Sequence, residues 1–193
     1  MADAPSIKAT GFQGAADDLA RLVAEGRISG AELAKRLQPP DVAYLDKQLA
    51  ASSWVPIATY VRVAAVLVEL EGRGDAQAYF RARGRKAAER LHKAGVYKQF
   101  DASVDTWGKR AGAIATTMGA VLYNFTKWSF EALPDRGGFE IRIDGAREFP
   151  DVLRWVGEGF IEYTSRHQSG KRKIQVTSAR PSPDRVVYTV QVA

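Results

Sequence analysis

The chain has 193 residues, of which 46% are hydrophobic; it carries a formal net charge of +6 and no cysteine. That length suits one domain of ordinary size with an N-terminal extension. Without cysteine there is no disulfide, zinc–thiolate site, cysteine-ligated iron–sulfur cluster or thiol nucleophile, and no stretch reaches the ~18 consecutive apolar residues of a membrane-spanning helix. Residues 1–14 lack the basic start and apolar middle of a secretory signal, so a cytoplasmic setting is expected.

Residues 1–14 show no strong period and read as a flexible tail. Residues 15–50 read as short N-terminal helices. Leu19, Leu22 and Val23 make one apolar stripe. Ser29 is an N-cap with Glu32 three positions on, ahead of Leu33 and Leu37, and Pro39-Pro40 breaks that helix. Val42, Leu45 and Leu49 then share a face.

Residues 51–193 read as the main domain. Ile57, Tyr60, Val61, Ala64, Leu67 and Val68 trace a helix that starts at Pro56 and stops at Gly72. Ala76, Tyr79, Phe80, Arg83, Ala87 and Leu91 trace a second, from Asp75 as N-cap to Gly95. A third, from about Ser103 to Leu122, is rich in small residues: Ala111, Gly112, Ala113, Ala115, Gly119 and Ala120. Small residues let helices approach closely or leave room for a ligand.

From Lys127 the pattern changes to period two. Trp128, Phe130 and Ala132 alternate with polar neighbours, Pro134-Asp135-Arg136-Gly137-Gly138 breaks the run, and Phe139, Ile141 and Ile143 resume it. This is a half-buried antiparallel hairpin. Ile174, Val176 and Ser178, a Pro/Ser/Asp turn, and Val186, Tyr188, Val190 and Val192 make a second. Between them Val152, Leu153, Val156, Phe160 and Ile161 recur at helical spacing, from Asp151 to Gly170. The fold class is α+β, with N-terminal helices packed on a four-stranded antiparallel sheet built by hairpin–helix–hairpin.

Basic charge is concentrated: residues 81–113 hold nine Lys and Arg against three Asp and Glu. Arg81, Arg85, Lys86, Arg90 and Lys93 lie on one helix and are candidates for a polyanion, either nucleic acid or an anionic surface. The opposing reading is a solvated helix face. Arg81, Arg85 and His92 fall on one side of that helix, and Arg83, Lys86, Arg90 and Lys93 on another, so the charges wrap much of its circumference. Tyr97 and Phe100 are weak candidates for base stacking. Two histidines far apart, with no Ser/His/Asp arrangement and no glycine-rich phosphate loop, leave no catalytic candidate and no metal site. Glu158 and Glu162, one turn apart, read as a solvated helix face.

Ala51-Ser52-Ser53-Trp54-Val55-Pro56, then Gly72-Arg73-Gly74-Asp75, then Arg83-Gly84-Arg85 resemble a paralogous family of uncharacterised proteins abundant in myxobacteria. Val55 departs from its pattern, which has an aromatic there. That family is similar to the superfamily of haem-nitric-oxide-binding domains, vinyl-reductase-type ligand-binding domains and TRAPP subunits. The resemblance implies helices on a four-stranded antiparallel sheet, dimerisation through helices, and in some members an apolar channel for a haem or an acyl chain. Haem members use a proximal histidine ahead of a Tyr-x-Ser-x-Arg motif. In Tyr163-Thr164-Ser165-Arg166-His167 the arginine is one place early, so no haem or other cofactor is expected.

The expected function is therefore that of a non-enzymatic sensor or scaffold domain. It binds an apolar small molecule or a protein partner, as a homodimer; contact with nucleic acid through the basic helix is the alternative. The candidate ligand-binding residues are Ala115, Gly119, Tyr123, Trp128, Phe130, Phe139, Ile141 and Phe160, between the small-residue helix and the sheet. Pocket and filled core use the same residues, so both remain open at this point.

Overall fold

A computed structural model describes residues 4–46, 49–96, 107–133, 137–170 and 172–193. The chain divides into two compact units, residues 1–79 with 122–124, and residues 80–121 with 125–193. This division differs from the expected boundaries at residues 14 and 50.

In the first unit, strand β1 (Ser6–Lys8) pairs antiparallel with β2 (Trp54–Pro56), with Ile7 opposite Val55. Helix α1 (Ala9–Ala24) follows β1 directly and buries Phe12, Ala15, Leu19 and Leu22. The expected flexible tail over residues 1–14 is thus corrected from Ser6 onward. Ile7 and Phe12, 1% and 0% exposed, have apolar surface that is removed from water when the segment is ordered. Ser29 caps α2 (Gly30–Arg36), its Oγ accepting from the Glu32 N–H at 3.1 Å. Pro39 and Pro40 end one helix and open the next, α3 (Pro39–Asp46), where their missing N–H groups leave no bond unmade.

The Ser-Ser-Trp-Val-Pro segment leads into and forms β2. Ser53 O accepts from Ala9 N at 2.9 Å, Ser52 O accepts from Lys8 Nζ at 2.8 Å, and that ammonium lies 3.7 Å from the Trp54 ring centroid. Helix α4 (Ile57–Glu71) packs on α1 and buries Tyr60, Val63, Ala64 and Leu67. Arg73 and Gly74 then take positive φ, and Asp75 caps α5 (Ala76–Lys93) by accepting from Ala78 N at 2.8 Å.

In the second unit, α6 (Trp107–Leu122) precedes the sheet; the part of its expected span before Trp107 lies outside the described residues, as do Tyr97 and Phe100. Strands β3 (Lys127–Leu133), β4 (Gly138–Asp144), β5 (Ile174–Ser182) and β6 (Arg185–Val192) form one antiparallel sheet in the order β3-β4-β6-β5. The register aligns Phe130, Ile141, Tyr188 and Ser178 across it. Pleating then puts every second residue on one face, where Phe139, Ile141, Ile143, Val186, Tyr188 and Val190 are all fully buried. The opposite face carries Lys127, Glu131, Arg142, Arg185, Thr189 and Gln191, and it meets water.

Helix α7 (Asp151–Gln168) joins the hairpins and lies on the apolar face, where the Tyr188 hydroxyl donates to Arg154 O at 3.1 Å. Helix α5 crosses α7 through two glycines. A methyl at Gly84 would overlap the Val156 carbonyl, and one at Gly159 would overlap the Arg81 carbonyl. The two backbones therefore touch, a separation only glycine permits.

Candidate functional site

The seam between α6 and the sheet is where the sequence places a ligand. Gly119 faces the Trp128 indole and Gly112 the Phe130 ring, each so closely that a β-carbon would enter the ring. Phe130 lies 5.4 Å from Phe139, and Trp107 meets Phe139 edge-on at 5.9 Å. Trp128 stacks on Tyr188 at 6.3 Å and meets Phe149 edge-on at 6.0 Å; its Nε1 donates to Thr126 Oγ1 at 2.9 Å. The structure thus brings together Gly119, Trp128, Phe130, Phe139 and Ile141, with Ala115 buried on the same helix. The aromatic rings themselves occupy the space against the helix glycines.

Two members of the set lie elsewhere. Phe160 is on α7, its backbone nitrogen beside Gly84 at the α5–α7 crossing. Tyr123 belongs to the first unit, where it bridges Ile7 in the backbone; burial pushes its hydroxyl far above the usual phenol range. Beside Tyr123, the Asn124 side chain accepts from Ser6 N at 2.7 Å and donates to Ala4 O at 3.1 Å.

The first unit also holds an open apolar groove of about 310 Å³ that sequence reading missed, lined by Leu19 and Val23 of α1, Leu33 of α2, and Val42 and Leu45 of α3. Each of these residues shows the ordinary apolar stripe of a short helix. Only their convergence makes a groove.

The basic helix divides as its periodicity predicts. Lys86, Arg90 and Lys93 are exposed, with Lys93 Nζ 2.7 Å from Glu89. Arg81 and Arg85 face α7. Arg81 lies 3.5 Å from Glu158 and 3.4 Å from Glu162, and Arg85 lies 3.0 Å from Glu162. This corrects the reading of Glu158 and Glu162 as a solvated face: they are 2% and 7% exposed. Glu158 also accepts from the Ser178 hydroxyl, and Glu162 pairs with Arg166 at 2.8 Å. The glycine crossing makes this possible, because α5 approaches closely enough for its arginines to cover the α7 carboxylates. The same contact weakens the polyanion reading at Arg81 and Arg85, since both guanidinium groups already hold carboxylates.

The two histidines, 75 positions apart in sequence, meet in space. The His92 and His167 ring centroids are 3.7 Å apart, and Tyr163 stacks on His167 at 6.4 Å. No group of three or more His, Asp or Glu among the described residues is placed to hold a metal ion, and no described helix is long and apolar enough to cross a membrane.

Among the described residues these elements define an α+β fold of seven helices and a four-stranded antiparallel sheet with one face covered. The solved structures it resembles are H-NOX proteins. One, from S. oneidensis in its Fe(II)NO ligation state, superposes with a TM-score of 0.63 at 15% identity, over 97% of this chain and 99% of the other. A point mutant of the T. tengcongensis H-NOX gives 0.60 at 12% identity, over 96% and 97%. A Cs H-NOX mutant carrying 4-cyano-L-phenylalanine gives 0.61 at 10% identity, over 96% of each. No protein-family model matches the chain, and no curated protein matches it.

The likeness is one of fold, and it bears out the expected helices and four-stranded antiparallel sheet. The chain's residues do not fit a histidine-held haem. Its two histidines lie against each other on α5 and α7, His167 is exposed, and Arg166 of the Tyr163–His167 segment is committed to Glu162.

Proposed function

We propose that the chain is a non-enzymatic scaffold or sensor domain that works by binding a protein partner. The observation that carries this reading is the closed seam: Gly112 and Gly119 are pressed against Phe130 and Trp128, so the H-NOX-like fold is kept while the place expected for a guest is taken by side chains. An enzyme is poorly supported, because the chain's two histidines lie against each other and no cysteine is present. Membership of the myxobacterial paralogous family, a TRAPP-like mode of assembly as a homodimer and a cytoplasmic setting belong to the same proposal. The first two rest on the Ser-Ser-Trp-Val-Pro and Gly-Asp motifs, and the cytoplasmic setting on a start without the pattern of a secretory signal.

A second reading, capture of an apolar small molecule, is favoured by the groove between α1, α2 and α3. Its volume of about 310 Å³ is at the small end of ligand sites. Mass spectrometry of the purified chain, native and then after denaturing extraction, separates the two. The expected result is a bare polypeptide. A stoichiometric apolar guest would overturn the partner-binding scaffold reading in favour of small-molecule capture.

A further inference from the structure

Strand β5 stands at one edge of the sheet, with β6 as its one neighbour among the described strands. Ala193 N donates to Lys173 O at 2.9 Å, which makes these two a hydrogen-bonded antiparallel pair. Bonded pairs alternate along such a ladder. The backbone groups of Gln175 and Thr177 therefore turn toward β6, and those of Ile174 and Val176 turn outward. An outward row of N–H and C=O groups is a template for another strand.

The ground beside that row is charged. A groove of about 660 Å³ runs between the start of β5 and α7, lined by Ile174, Val176, Arg81, Arg166, Arg172 and Lys173, with Glu162 in its wall. Glu162 is already shared among Arg81, Arg85 and Arg166, so one carboxylate faces several cations. Arg166, Arg172 and Lys173 are exposed. A second copy of β5 would bring like charges together, and a basic or neutral strand would gain nothing from them. An acidic strand would meet complementary charge while its backbone completes the ladder.

We infer that the β5 edge and its basic groove dock an extended acidic peptide segment of a partner protein, which adds as a fifth strand beside Ile174 and Val176 while its carboxylates reach Arg172 and Lys173. This deepens the partner-binding reading and rests on it. Nucleic acid would use the cations but not the strand edge, so the presence of that edge favours a peptide.

The test is fluorescence anisotropy of the full chain with labelled probes. The probes are a peptide of alternating Glu and Val, the same peptide N-methylated at alternate residues, its Lys-for-Glu analogue, and a short oligothymidylate. The alternating Glu/Val peptide should bind saturably and more weakly as salt rises. The N-methylated and Lys peptides should each bind about tenfold more weakly or worse, because one loses backbone bonds and the other loses charge complementarity. An Arg172→Glu/Lys173→Glu double variant should lose about tenfold in affinity with an unchanged melting temperature, both residues being exposed. Equal binding of the N-methylated peptide, tighter binding of the oligothymidylate, or no binding of the acidic peptide would overturn the proposal. Such a failure with a bare polypeptide in denaturing extraction sinks the β5 site alone; an extracted apolar guest sinks the scaffold reading itself.

Discussion

Asp41 is fully buried and accepts four hydrogen bonds: from Arg62 Nε at 2.6 Å and Nη2 at 2.8 Å, Thr59 Oγ1 at 2.7 Å and Gln38 N at 2.9 Å. The Arg62 guanidinium, helped by Thr59 and Gln38, outweighs burial and holds the carboxyl at about 2. A carboxyl that ionises more easily folded than unfolded stabilises the fold above its unfolded value of about 4, and that contribution is lost as pH falls toward 2. A shift of that size corresponds to about 2 kcal/mol. Asp41→Asn should therefore destabilise the chain by about 2 kcal/mol at neutral pH, with the difference shrinking below pH ~4. Urea unfolding at several pH values measures it, and a pH-independent difference would assign the loss to packing instead. Glu162 makes a second case. Replacing it with Ala leaves Arg81, Arg85 and Arg166 facing one another, and should cost about 1–3 kcal/mol, recovered in part at high salt. Neither residue announces its burial in sequence, because an aspartate after Pro-Pro and a glutamate pair at i,i+4 look the same solvated or covered.

At the scale of elements, glycine decides what packs where. Alanine is a better helix former than glycine by about 1 kcal/mol, so Gly112→Ala or Gly119→Ala would stabilise α6 if a void lay beside it. With Phe130 and Trp128 filling the seam, each should instead destabilise by about 1–3 kcal/mol. The sign of the shift in melting temperature distinguishes a filled seam from a pocket. Gly84→Ala and Gly159→Ala should cost at least as much, about 2 kcal/mol or more, because their neighbours are backbone carbonyls that cannot swing aside. The hairpins and α7 were legible in sequence because alternation of period two, a Pro/Asp/Gly turn and a stripe of period 3.6 are local signals. Strands β1 and β2 were not. Three residues cannot display a period, and the pair is held by bonds between distant segments, Ala9 N to Ser53 O, Ile57 N to Pro5 O and Lys8 Nζ to Ser52 O among them.

For the whole molecule, the homodimer implied by the resemblance is measured by light scattering across a concentration series. A monomer at every concentration would remove dimerisation from the proposal and leave partner binding as it stands. The H-NOX-like fold persists at 10–15% identity in the compared structures. Such persistence is expected when a fold asks chiefly for an apolar sheet face and helices to cover it, with many side-chain sets able to do so.

The sequence alone determined the order and type of the main elements, the apolar face of the sheet and the sidedness of the basic helix, since each is written in residue spacing a few positions long. Tertiary structure decided which surfaces those faces meet. It set Gly112 and Gly119 against aromatic rings and turned Arg81 and Arg85 onto Glu162, 81 and 77 positions away. It also brought two distant histidines together and left β5 at an edge. These outcomes depend on how closely backbones approach, a property of pairs of elements that no single stretch of sequence contains.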